Sequence, residues 1–408
     1  MYAHLSLISF ALLTATIAVF PSLSHCDDSV WTRHTVANIS QGADGVRLID
    51  ANHDGLLDIV TPWEEGGKIS VSLHPGLEKV RQPWPTKIIA DVPSPEDAVW
   101  ADLDGDGKFE VITCAEGKER SVWVHWNTSG GPLGEWRSEP FPQLKDTEMW
   151  MYCTPAQVDG LDGVDLIVGS KGQNGSISWL QAPPDPTNLS QWKVHKISDA
   201  GWIMSLIVQT DKKGILENLL VSDRRDELRG AKQIRSPFLN QRSKPEENNT
   251  FPVHLLGSGD KEVMFMDYAD IDQDGLLDAV VATYGDKIDI HRQTGRDGWQ
   301  IRKESSTINM PPNTGTGKSV RVGDIDRDGD MDIALTCGNS QDKHGVMWLS
   351  YRKSITETDW QAHDIGGLTG TKFDQLELID LDHDGDLDLL TCEERENLGV
   401  IWYENPIH

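Results

Sequence analysis

Five short acidic segments are the parts of this chain most able to do chemistry. They read Asp50-Ala-Asn52-His-Asp54-Gly55-Leu-Leu-Asp58, Asp102-Leu-Asp104-Gly-Asp106-Gly107-Lys-Phe-Glu110, Asp270-Ile-Asp272-Gln-Asp274-Gly275-Leu-Leu-Asp278, Asp324-Ile-Asp326-Arg-Asp328-Gly329-Asp-Met-Asp332 and Asp380-Leu-Asp382-His-Asp384-Gly385-Asp-Leu-Asp388. Oxygen ligands fall at positions 1, 3 and 5, a glycine at 6 allows a sharp turn, and a carboxylate follows at 9. That donor set suits a hard cation that takes six to eight oxygens, and calcium fits it best. Two further segments, Asp159-Gly-Leu-Asp162-Gly-Val-Asp165 and Asp211-Lys-Lys-Gly214-Ile-Leu-Glu217, are two residues shorter and lose the ligand offsets. The expectation is five calcium loops and two plain turns.

The loops recur because the chain does. Counting from Asp50, Asp102, Asp159, Asp211, Asp270, Asp324 and Asp380, a unit returns every 52 to 59 residues. Repeats of that length imply a propeller or a solenoid. Each unit opens on an aromatic-headed segment such as Trp84-Pro-Thr-Lys87 or Trp192-Lys-Val-His195. A second segment runs into the loop, a third leaves it (Leu57-Asp-Ile-Val-Thr61), and a fourth often carries tryptophan, as at Trp123, Trp179, Trp348 and Trp402. Helical periodicity is absent, so the loops join strands rather than the helices of an EF-hand. The fold expected is all-β: a seven-bladed β-propeller of four-stranded blades over residues 31–406. Its repeats span about 31–80, 84–130, 136–183, 192–240, 251–293, 299–352 and 360–406. Pairing of Trp31–Val36 beside Val400–Glu404 would close the ring and hide both sheet edges.

Composition narrows the partners. Lys plus Arg number 37 against 65 Asp plus Glu, a formal charge of −28, and positions 1, 3, 5 and 9 of the five loops hold nineteen of those carboxylates. An acidic surface argues against nucleic acid and anionic membrane. The apolar run of residues 5–20, followed by Pro21-Ser-Leu-Ser24, reads as a signal peptide over residues 1–24 although its first residues lack Lys or Arg. A secreted or periplasmic location follows. A lipid anchor at Cys26 fits less well, because His25 stands where a small residue is wanted. No other run is long enough to span a bilayer. Cys114, Cys337 and Cys392 share one repeat position, which implies small buried residues rather than a disulfide framework.

In a propeller, the face opposite the loops is built from connections that do not repeat. Connections entering the second strand offer Asp44, Glu96, Asp97, Trp202, Lys318, Lys372 and Asp374. Those leaving the third offer Trp63, Glu64, Glu65, Glu116, Lys171, Arg224, Arg225, Tyr284, Glu393 and Glu394. Glu64-Glu65, Glu116 and Glu393-Glu394 fall at equivalent positions in units one, two and seven, neighbours in a closed ring. Lys171 and Arg224-Arg225 match them in units three and four. Crowded carboxylates raise one another's pKa and make general bases, and a mixed polar rim with tryptophan suits a sugar. Candidate catalytic residues are therefore Glu64, Glu65, Glu116, Lys171, Arg224 and Arg225. Candidate binding residues are Asp44, Trp63, Asp97, Trp202, Tyr284, Lys318 and Glu393. His34, His195, His254 and His363 share an outer-strand position, where packing is the expected role. Arg47, Asp267, Arg321 and Glu377 recur three residues before a loop, where inter-blade ion pairs are expected.

With these loops and tryptophan strands, the chain resembles the FG-GAP/VCBS repeat propellers, a group whose members range from adhesion modules to lyases. A narrower resemblance rests on Gly42-Ala-Asp-Gly-Val-Arg-Leu-Ile-Asp50, Trp63-Glu-Glu-Gly-Gly67, Glu96-Asp-Ala-Val-Trp100, Gly201-Trp-Ile-Met-Ser205 and Ser222-Asp-Arg-Arg225. These look like the propeller domain of the aldos-2-ulose dehydratases. That resemblance implies loss of water from a keto-sugar such as 1,5-anhydrofructose, aided by a further divalent ion, zinc or magnesium, in the mouth. The cupin and lectin domains of that family have no counterpart here, so isomerisation is not expected. The alternative is a non-catalytic propeller that binds a glycan or a protein.

Overall fold

A computed structural model describes residues 31–238, 250–297, 300–351, 354–356, 358 and 360–407. The leader expected over residues 1–24 and the aromatic Trp299 lie outside them. The strands form seven antiparallel sheets of four strands each. Arg47–Ile49, Pro95–Ala101, Met149–Ala156, Ile203–Thr210, Val263–Ala269, Thr316–Gly323 and Phe373–Ile379 begin blades 1 to 7. These first strands pack against one another around the axis. Among the described residues no helix is long and apolar enough to cross a membrane.

Repeat and blade are offset by one strand. Each aromatic-headed segment is the outer strand of the preceding blade, as Thr86–Asp91 is in blade 1. The first such strand, Thr32–Ala37, therefore joins blade 7 and pairs antiparallel with Gly399–Glu404, from Thr32 opposite Glu404 to Ala37 opposite Val400. Side chains brace this closure. Glu404 accepts from Arg81 at 2.7 and 3.0 Å, and His34 Nε2 lies 2.7 Å from Glu404 Oε2.

The outer-strand histidines pack as their shared position implies. His34, His195 and His363 lie against Trp402, Trp179 and Trp348 with ring centroids 4.6, 4.6 and 3.8 Å apart. Arg321 pairs with Glu377 of the next blade at 2.8 Å, and Asp267 accepts the amide of Val322 at 2.8 Å. Arg47 turns instead to Asp97 of blade 2, at 3.2 Å. Cys114, Cys153, Cys337 and Cys392 are buried free thiols.

The five acidic loops share one backbone shape. Position 4 is left-handed at φ 57 to 71° and the position-6 glycine follows at 81 to 101°. In each, the position-6 amide donates to the first aspartate at 2.8 to 3.3 Å. Neighbouring loops touch: His53 Nε2 lies 2.8 Å from Gly107 O, and Gln273 donates to Gly329 O at 2.6 Å.

The position-9 acid does a second, local job. Asp58 accepts the amides of Ala51 and His74, Asp278 those of Ile271 and Gln293, and Asp388 those of Leu381 and Asn405. Asp165, in the shortened third unit, does the same with Val158 at 2.9 Å and Ala182 at 2.8 Å. This carboxylate staples the hairpin to the end of the third strand whether or not the full loop is present. Asp165→Ala strands two buried amide donors and is expected to destabilise the protein by about 2–4 kcal/mol. Urea unfolding followed by tryptophan fluorescence checks it; an unchanged midpoint would show the staple to be dispensable.

Candidate functional site

A cavity of about 300 Å³ opens on the face opposite the acidic loops. Its position follows from a repeated irregularity. Six of the seven first strands slip register near their start: at Pro95/Asp97, Trp150/Tyr152, Ile203/Ser205, Val263/Met266, Gly317/Ser319 and Phe373/Leu376. A bulge breaks the two-residue alternation and re-aims a side chain. The residues at the slips are Glu96, Met151, Met204, Met264, Phe265, Lys318, Asp374 and Gln375, and every one lines the cavity. In blade 1 the equivalent place is held by Asp44, beside the isolated pairing of Ala43 with Trp63. There Gly42 (φ 71°) lies so close to Glu65 that a Cβ would meet its amide nitrogen at 2.8 Å.

Acids and bases interleave around this mouth. Carboxylate oxygens of Asp44, Glu64 and Glu96 come within 4.8 Å of one another, and so do those of Asp44, Asp374 and Glu394. Lys171 is ion-paired with Glu116, and Lys372 with Glu394. Lys318 lies 2.6 Å from Asp374. Lys171 Nζ also sits 4.3 Å from the Trp202 ring centre, and the Arg224 guanidinium lies 4.5 Å from Trp202 and 4.4 Å from Tyr284. Glu262 holds Arg224 Nε at 3.1 Å. Such cation–π contacts fix charged side chains in place.

Crowding moves the protons. Burial, then the charges of Asp374, Glu394 and Glu96, push the Asp44 carboxyl well above the ordinary range. Burial, and after it Glu116 and Glu64, raise Glu96 well above its usual value, with Lys171 acting against them. Burial and Asp374 push Glu394 up to about 7 against the pull of Lys372 and Lys318. Asp374 goes the other way: burial raises it, but Lys318, a hydrogen bond with Asp44 and Lys372 together hold it below the usual carboxylate value. The mouth thus holds neighbouring carboxyls pushed in opposite directions by their surroundings.

Of the sequence candidates, Asp44, Glu64, Glu116, Lys171, Trp202, Arg224, Tyr284 and Lys318 line the cavity. Arg225 stands on the far side of Trp202, 4.4 Å from its ring centre, in a neighbouring groove. Glu65 is exposed outside the cavity. Three assignments need correction. Trp63 is fully buried in the blade, its indole N–H donating to Ser70 Oγ at 2.8 Å. Asp97 is buried against Arg47 and accepts the amide of Cys153 at 2.9 Å, so it locks blades together. Glu393, fully buried, accepts the amides of Thr371, Lys372, Arg395, Glu396 and Leu398 and folds its own loop. Glu96, Lys372, Asp374 and Glu394 join the site in their stead. Their loops were visible in the sequence, but the bulges that turn Glu96 and Asp374 inward are not.

Residues 270–335 match the FG-GAP-like repeat. No curated protein matches the chain. Two crystal structures of BBS1N in complex with ARL6DN, one soaked with mercury and one with lead, are similar in fold. Each has a TM-score of 0.53 and 13% identity over 93% of this chain and 98% of that one. At that identity the likeness is one of fold alone.

Glu394 makes a measurable pH signature. Its folded pKa lies above the ordinary 4.5, so the fold binds a proton that the unfolded chain releases between those values. Without added divalent cation, stability should fall as pH rises from about 4.5 to 7, by up to about 3 kcal/mol. Thermal melts across that range should show a shallower decline for Glu394→Gln than for the unaltered chain. Identical slopes would mean that the carboxyl is not protonated in the fold.

Proposed function

We propose that the mouth binds a small keto-sugar and eliminates water from it. The observation that carries this reading is the convergence of carboxylates, lysines and Arg224 from successive blades on one cavity the size of a sugar ring. In this reaction Glu116 takes the proton beside the carbonyl, and the electrons of that C–H bond move toward the carbonyl oxygen. Lys171 and the π-clamped Arg224 face the oxygen as it gains charge. The C–O bond one carbon further on then breaks, and the hydroxyl recovers the proton from Glu116 and leaves as water. Glu65, outside the cavity, takes no part.

Asp44, Glu64 and Glu96 fit a divalent cation, because their oxygens lie within 4.8 Å of one another and a cation there would offset the burial and neighbouring acids that disfavour ionised Asp44 and Glu96. Zinc or magnesium bound there would supply Lewis acidity toward the sugar oxygens. The triad of Asp44, Asp374 and Glu394 fits a cation less well, because Lys318 and Lys372 already pair with two of its members. The test is an ultraviolet assay for enone formation from 1,5-anhydrofructose. Absorbance should rise, and Glu116→Gln should lower kcat by about 10²–10⁴-fold. A flat trace with zinc or magnesium added would overturn catalysis. The second reading, a non-catalytic propeller that binds a glycan or protein, would then stand; BBS1N, of the same fold, is seen in complex with ARL6DN.

The acidic loops serve the scaffold in this reading, in an exported protein that meets calcium outside the cell. Burial pushes the metal-free position-9 carboxyls up to about 6 at Asp58 and Asp278, and to about 8 at Glu110, Asp332 and Asp388. A raised carboxyl favours the fold only while protonated, so the chelated protein should lose stability as pH rises from about 4 to 8. Calcium needs the ionised form and should flatten that decline. Melts with calcium and with chelator at pH 5 and pH 8 check this; equal calcium shifts at both would count against loop binding.

A further inference from the structure

A second, larger recess of about 1140 Å³ lies over blades 3 and 4, beside the mouth. Lys171 and Trp202 line both spaces, so the two meet at one indole. Trp202 is a fixed partition, held by Lys171, Arg224 and Arg225 with their charges 4.3 to 4.5 Å from its ring centre.

The recess has a built floor. Lys171 and Trp202 pair as an antiparallel bridge. Gly172 N donates to Gly201 O at 2.9 Å, and Ala200 N to Gly175 O at 2.8 Å. A Cβ on Gly175 would lie 2.6 Å from Ala200 O, and one on Gly201 would lie 2.2 Å from Arg225 O. Gly175 and Gly201 therefore hold these backbones closer together than any larger residue would allow. Around it are the exposed amides of Gln173 and Asn174 and the apolar Met149 and Leu228. Its charges balance, with Lys171, Lys196 and Arg225 against Asp199, Asp226 and Glu227.

We propose that this groove takes the further units of a neutral glycan whose terminal sugar occupies the mouth. Equal charge gives no net pull on an anion or a cation. Amides and a guanidinium can bond hydroxyls, and Met149 and Leu228 can cover the apolar faces of sugar rings. The mouth alone, at about 300 Å³, is at the lower end of the range for ligand pockets, whereas the groove exceeds its upper end of about 1,000 Å³. The inference rests on the sugar reading of the mouth and adds that its ligand is a chain.

The test is titration calorimetry with neutral gluco-, manno- and xylo-oligosaccharides of one to five units. For at least one series, affinity should rise about tenfold or more from one unit to three. Asn174→Trp, which fills the groove, should abolish that gain and leave the Kd for one unit within about twofold. If Asn174→Trp melts below the unaltered protein, Gln173→Ala with Asn174→Ala carries the same comparison. Affinity independent of length in every series that binds, or a gain that survives both variants, would overturn the groove and leave the mouth reading intact. Failure of every sugar in these series to bind would overturn the groove, while enone formation from 1,5-anhydrofructose decides the mouth reading separately.

Discussion

Everything on the mouth face depends on one antiparallel ladder, the pairing of Thr32–Ala37 with Gly399–Glu404. A ring of sheets has a stable axis only when it is closed, because an open ring would present two unpaired edges and let the first strands drift apart. Closure brings blade 7 against blade 1, and that step puts Asp374 and Glu394 beside Asp44. Arg81, which reaches Glu404 from the connection after blade 1's third strand, secures the same seam. The acidic arc of the mouth is thus assembled from residues more than three hundred positions apart.

Within the closed ring, the bulges decide what the axis contains. A regular strand would alternate its side chains between the two neighbouring blades, leaving the cavity to backbone. In six of the seven first strands a slip directs an acid, a lysine, a methionine or a phenylalanine inward instead. The charges then stand too close to act independently, so Asp44 and Asp374 depart from the ordinary carboxylate value in opposite directions. Apolar Met151, Met204, Met264 and Phe265 fill the rest of the lining and sharpen that effect by keeping water away.

How legible each feature is in the sequence follows the distance over which it is encoded. The acidic loops are local, so the spacing of their oxygens is read directly from the chain. The closing strand is legible from phase, because a repeat that starts on its outer strand must finish beside it. Glu64, Glu116, Lys171 and Arg224 emerge from repeat position alone, since a propeller puts equivalent residues at equivalent places. The misplacements lie one residue from the right answer. Trp63 ends its strand facing the core, one position before Glu64, and buried Glu393 precedes Glu394 of the acidic triad. Asp97 and Glu96 exchange roles for the same reason: the slip between Pro95 and Asp97 reverses the direction that simple alternation assigns. Nothing in composition or periodicity encodes that slip; tertiary packing imposes it.

The seam also sets how the molecule bears load. Because Thr32 stands opposite Glu404, the two strands enter and leave the ladder at the same end. Tension applied through a tether before Thr32 and another after Glu404 would act on one pair of residues at a time, in the manner of a zipper, rather than on all the hydrogen bonds together in shear. A ring that resists attack along its whole circumference is thus easiest to open from the point where it was sewn shut.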